Sequence, residues 1–126
     1  MPNCQPETTT STRFFEFTDG NGHTFQAWTS DSSVINQVLA QLALPEDQRD
    51  QHINGKLLAV PEGCRYNQHW SWYFDPNDWT LAEISIEVCD GNPQYVEDHL
   101  ADFLEVGRYC PWSSHVLREI DNPFDT

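Results

Sequence analysis

The stretch LAEISIEVCDGNPQYVEDHLADFLEVGRYCPWSSHVLREI, residues 81–120, changes its hydrophobic period twice, and that change decides the fold class. From Leu81 to Cys89 apolar and polar residues alternate, with Ile84, Ile86 and Val88 on one side and Glu83, Ser85 and Glu87 on the other. Successive strand side chains point to opposite faces, so the stretch reads as a strand with the apolar set inward and the glutamates in water. Asn92 then offers a capping oxygen and Pro93 suits a first helical turn. Tyr95, Val96, His99, Leu100, Phe103 and Leu104 recur at helical spacing until Gly107 ends the pattern. His99 falls on that stripe and reads as a packed core residue. Period two returns from Cys110 to Ile120. Pro111 steers the chain into this last strand, and alternation sets Trp112 with Ser114, Val116 and Ile120 on the core side, where truncation to Ala would cost about 3 to 5 kcal/mol.

Outward from this stretch, the N-terminal half supplies the rest of an α+β domain. Phe14 to Thr18 and Thr24 to Thr29 are strand-like, and Asp19-Gly20-Asn21-Gly22 between them accepts positive φ, which predicts a β-hairpin. Ser30 or Asp31 can cap a helix whose Val34, Ile35, Val38, Leu39 and Leu42 share one stripe before Pro45. Ile53 to Val60 reads as a third strand. His69 to Asp75 reads as a fourth, with Trp70, Trp72 and Phe74 inward, broken by Asp75-Pro76-Asn77-Asp78. The predicted order is ββαβββαβ: a largely antiparallel sheet of about six strands with two helices on one face, the other face being partly open. Residues 1–12 read as a flexible lead-in, 13–120 as a single domain and 121–126 as a polar tail.

Twenty Asp and Glu against six Lys and Arg give a net charge of −14. That charge repels phosphate backbones and anionic lipid, so nucleic acid and membrane are excluded as expected partners and a protein with a basic surface is favoured. The start of the chain shows no basic and apolar leader, and no stretch reaches membrane-span length, which predicts a soluble protein, cytoplasmic if the N-terminus is native. The four Cys lack zinc-ligand spacing and allow three disulfide pairings. Cys89 and Cys110 flank the second helix and are the favoured pair.

Several segments together resemble a known family: Phe15-Glu16-Phe17-Thr18-Asp19, Trp70-Ser71-Trp72-Tyr73-Phe74-Asp75-Pro76, Ile86-Glu87-Val88-Cys89-Asp90, Tyr95-Val96-Glu97 and Cys110-Pro111-Trp112-Ser113-Ser114. They are similar to segments of small bacterial, fungal and slime-mould proteins described as calmodulin-binding-protein-related, over roughly residues 13–120. The resemblance implies a protein-binding role and brings no catalytic residues with it. Calmodulin targets are basic amphipathic helices, whereas both predicted helices here are neutral to acidic.

The residues themselves assemble no convincing catalytic centre. Glu83 and Glu87, with Glu16 on a neighbouring strand, are paired carboxylates on a wet face, where the burial that splits pKa values is missing. Ser113 and His115 can share a face but lack a nucleophile elbow and a third group. No two of the five His stand at i, i+4, and the Asp and Asn residues of the turns lack the calcium-loop pattern. Neither a metal nor another cofactor is expected. Tyr73 and Trp79 read as accessible aromatics beside Asp75, Asp78, Glu83 and Glu87. These six are the expected partner-binding residues of a non-enzymatic protein-binding domain of the inhibitor or regulator kind. The alternative is a carbohydrate-binding or hydrolytic domain using Trp79, Tyr73 and the Glu83/Glu87 pair.

Overall fold

Asp19 organises the first turn. Its Oδ1 accepts the N–H groups of Asn21 and His23, and its Oδ2 lies 2.6 Å from His23 Nδ1. Gly20 and Gly22 take φ of 79° and 93° there, a region where a Cβ is costly. In the computed structural model, which describes residues 4–124, this turn joins β1 (Arg13–Thr18) to β2 (Thr24–Thr29) as the predicted antiparallel hairpin. Helix α1 (Ser32–Leu42) follows, with the Asp31 carboxylate accepting from the N–H groups of Ser33 and Val34 and with Val34, Ile35 and Val38 buried.

The remaining elements are β3 (His52–Ala59), β4 (Trp72–Ala82), α2 (Pro93–Asp98), α3 (Leu100–Val106), β5 (Arg108–Tyr109) and β6 (His115–Ile120). The class is α+β, and the strands divide into two three-stranded antiparallel sheets, β2-β1-β6 and β4-β3-β5, in place of the single six-stranded sheet expected. The physical cause lies in the predicted last strand. After Tyr109 the chain turns at Pro111, whose carbonyl accepts both the N–H and the hydroxyl of Ser114, so β6 leaves the second sheet and pairs with β1 in the first. Arg49 secures the crossing by donating to the carbonyls of Leu42 and Leu44 at the end of α1 and of Val116 and Leu117 on β6.

Asp75 to Asp78 does not end a strand. Leu57 faces Phe74 and Gly55 faces Trp79, so these four residues bulge out opposite the single Lys56, and β4 continues beyond them to Ala82. Gly55 permits this because a Cβ there would lie 2.9 Å from the carbonyl oxygen of Asp78 and 2.9 Å from the Phe74 ring. The predicted second helix is two short helices, because His99 at φ −129°, ψ 35° interrupts the ladder. His99 is exposed and stacks on Tyr95, not packed in the core. α1 packs against β4 and β6, and α3 against β3 and β5, so the helices do not share one face of one sheet.

Both sheets contribute to one aromatic core containing Phe15, Phe17, Phe25, Trp72, Phe74, Trp79 and Tyr109. Trp79, expected to be accessible, is 4% exposed and donates its indole N–H to the carbonyl of Trp28 across the sheets. A smaller cluster of Phe14, Trp28 and Tyr66 covers the other side of the hairpin, with Tyr73 and Phe124 packed on it. Residues 4–12 are anchored at several points, which corrects the expectation of a free lead-in. Cys4 is bonded to Cys64, Gln5 donates to the carbonyl of Phe124, and the Thr12 and Ser30 hydroxyls are 2.7 Å apart. Phe124, within the predicted polar tail, is tied into the same cluster; the ends of both segments, 1–3 and 125–126, lie outside the described residues. A second disulfide joins Cys89 to Cys110.

Candidate functional site

The stretch from Glu83 to Val88 does not form the fifth strand expected, and its apolar residues do not face inward. β4 ends at Ala82, and the segment after it carries Ile84, Ile86 and Val88 into solvent at 80, 64 and 61% exposure. Two anchors hold it. Ser85, the polar member of the alternation, points inward, with its Oγ 2.6 Å from His52 Nε2 and accepting from Asn54 Nδ2 at 2.9 Å. Arg108 donates to Asn54 Oδ1, which orients that amide toward Ser85. At the other end the Cys89–Cys110 bond and the Cys110 N–H to Cys89 carbonyl hydrogen bond fasten the segment to the end of β5.

His52 is buried, and that burial lowers its pKa against an opposing influence from Asp90, so its ring is neutral at pH 7. On it stacks Trp112, with centroids 5.5 Å apart and planes 12° apart. Trp112 is 39% exposed, which corrects its expected place in the core: the Pro111–Ser114 turn rotates it outward, and Asp90 Oδ1 accepts its backbone N–H. Tyr95 and Val106 are also exposed, and together with Val88, Asp90, Asp102 and Phe103 they line a hollow of about 250 Å³. The result is an exposed apolar ledge interleaved with Glu83, Glu87, Asp90 and Asp102.

The larger concavity lies elsewhere. A half-open cleft of about 750 Å³ runs between residues 5–12 and the bulge of β4, with Trp28, Tyr66 and Tyr73 among its lining residues. Trp28 and Tyr73 stack with planes 3° apart, and Tyr66 meets Tyr73 edge-on at 5.1 Å. Burial, helped by Tyr66 and Asp75, raises the Tyr73 pKa and keeps the phenol neutral.

The six expected partner-binding residues are therefore dispersed. Tyr73 and Asp75 line the cleft, Glu83 and Glu87 flank the ledge residues, Asp78 pairs with Arg108 at 3.2 Å, and Trp79 is inside the core. With Trp79 buried, the proposed grouping of Trp79 and Tyr73 with the Glu83/Glu87 carboxylates is not brought together. Glu16 is engaged by Arg118 instead of joining those glutamates. His115 meets Glu46 at 2.9 Å, while Ser113 is exposed in the Pro111 turn. Sequence reasoning missed Trp28, Tyr66 and the exposed isoleucines as surface-forming residues. For the isoleucines the alternation was misleading, because it suggests a strand where the chain leaves the sheet after Ala82. Among the described residues no group of three or more His, Cys, Asp or Glu side chains is placed to hold a metal ion, and no helix is long and apolar enough to cross a membrane.

The fold and the two surfaces define a small acidic α+β module. Residues 11–123 match the family model described as the BP-74 N-terminal domain, and the chain belongs to that family. No curated protein and no solved structure matches it.

Proposed function

We propose that the protein is a non-enzymatic protein-binding domain, of the inhibitor or regulator kind, and that the ledge from Glu83 to Asp90 with Tyr95, Val106 and Trp112 is its contact surface. The observation that carries this reading is the exposure of three consecutive alternate apolar residues, Ile84, Ile86 and Val88, on a segment fastened at both ends. Contiguous apolar surface with a polar rim marks interaction sites, and a fixed segment loses little conformational freedom on binding. The rim here is acidic and the chain carries −14, so a second copy is repelled and a partner with apolar anchors among Lys and Arg is favoured. The calmodulin-binding-protein-related resemblance supports protein binding in general. It does not favour calmodulin, because α1, α2 and α3 contain no basic residue.

The test is capture from the native source by wild-type protein and by an Ile84→Ser/Ile86→Ser variant, each at low and moderate salt. A partner retained by wild type, weakened by salt and lost with the variant supports the ledge. Capture indifferent to both the substitution and salt, or no capture at low salt, overturns it.

A further inference from the structure

The cleft shares no residue with the ledge, and its chemistry asks for a different occupant. Its volume of about 750 Å³ lies within the range of small-molecule sites. One wall is the anchored segment carrying Glu7, Thr8, Thr9 and Thr12; the opposite wall is the β4 bulge with Asp75 and Asn77. Tyr73, half-buried with one face on Trp28, is the aromatic surface open to it.

Three features narrow the ligand. First, the lining contains two carboxylates and no Lys, Arg or His, so nothing there neutralises a phosphate, sulfate or carboxylate, and the charge of −14 keeps such anions away. Second, the Glu7 and Asp75 carboxylates only accept, and call for a ligand with several O–H or N–H donors. Third, the Asn77 side-chain amide and the Thr8 hydroxyl carry donors as well as acceptors, so they call for acceptors on the ligand too. An ammonium or guanidinium group supplies donors but no acceptor. A hydroxyl supplies both, and a sugar ring adds a C–H face that suits the Tyr73 ring.

We propose that this cleft binds a neutral polyhydroxylated ligand, a sugar or a short oligosaccharide. Asp75 and Asn77 take ligand hydroxyls on one side, Glu7 and Thr8 on the other, and Tyr73 packs against the ring face. The bulge that places Asp75 and Asn77 here gives an otherwise awkward four-residue interruption of β4 a use.

The test is an array of neutral, anionic and cationic mono- and oligosaccharides, with choline and spermidine as non-sugar cations. Calorimetry and the indole N–H resonances in NMR, the Trp28 signal assigned through Trp28→Phe, follow any hit. The expected result is binding confined to neutral glycans, a shift of the Trp28 indole signal, and an affinity loss of about tenfold or more in Asp75→Asn, the effect of one charge-assisted hydrogen bond. Asp75→Asn keeps the shape of the side chain, and thermal unfolding of this variant beside wild type checks that it is folded. Binding of choline or spermidine in place of sugars, selection of anionic glycans, binding that leaves Asp75→Asn unaffected, or no binding at all overturns the proposal. The Ile84→Ser/Ile86→Ser variant retains glycan binding, so failure of this site and failure of the ledge are read separately.

Discussion

Ser85 Oγ sits 2.6 Å from Nε2 of His52, and this contact points Ser85 inward while Glu83, Ile84, Ile86 and Glu87 around it are exposed. Because burial holds the His52 pKa below its ordinary value of about 6.5, the folded state binds fewer protons than the unfolded chain just below that pH. Its contribution to stability is therefore complete above about pH 6.5 and declines as pH falls through the lowered pKa. Urea unfolding at stepped pH from about 7.5 to about 5 should show wild type losing stability faster than His52→Gln; parallel profiles would show that His52 is not buried as described.

Trp112 and Trp79 exchange the roles that alternation suggests. Trp79→Ala removes a ring that is 4% exposed along with its hydrogen bond to the Trp28 carbonyl, and should cost about 3 to 5 kcal/mol. Trp112→Ala removes a partly exposed ring stacked on His52 and should cost about 1 kcal/mol. Denaturant unfolding of the two variants side by side decides it, with equal losses counting against the assignment.

Gly55 is required for lack of space, not for unusual backbone angles. Gly55→Ala would drive a methyl group against Trp79 Cβ, the Asp78 carbonyl and the Phe74 ring, and should destabilise by about 1 to 3 kcal/mol as overpacked sites do. Thermal unfolding beside Gly63→Ala, where a Cβ meets nothing within 4 Å but φ is 81°, separates crowding from backbone strain. If Gly55→Ala melts with wild type, the bulge is looser than described.

The Cys4–Cys64 bond closes a loop of 60 residues and holds the wall of the cleft. Chain entropy alone assigns such a bridge about 4 kcal/mol. Cys4→Ser should lower stability by about 2 to 5 kcal/mol and should increase protease cleavage within residues 5–12 before the rest of the domain is cut. Intact mass of the oxidised wild type should rise by two hydrogens per bridge on reduction. No rise would show that neither pair is bonded.

How much was legible in the sequence follows the range of the interactions involved. The β1–β2 hairpin, the Asp31-capped α1, the Asn92 cap with Pro93 and the Gly107 stop depend on neighbours a few residues away, and the residues at those positions determined them without reference to the rest of the chain. So did the α+β class, because the period changes from two to 3.6 and back again. Only the tertiary structure decided that β6 joins β1, that Asp75 to Asp78 bulges within β4, that Trp79 is inside and Trp112 outside, and that Ile84, Ile86 and Val88 face water. Alternation states that a strand has two sides, and a shift of one residue exchanges them. Which side is buried is set by partners far along the chain: His52 for Ser85, Cys110 for Cys89, Trp28 for Tyr73 and for the indole of Trp79. Those contacts exist only once both sheets have formed, so the ledge and the cleft belong to the folded molecule and not to any one stretch of its sequence.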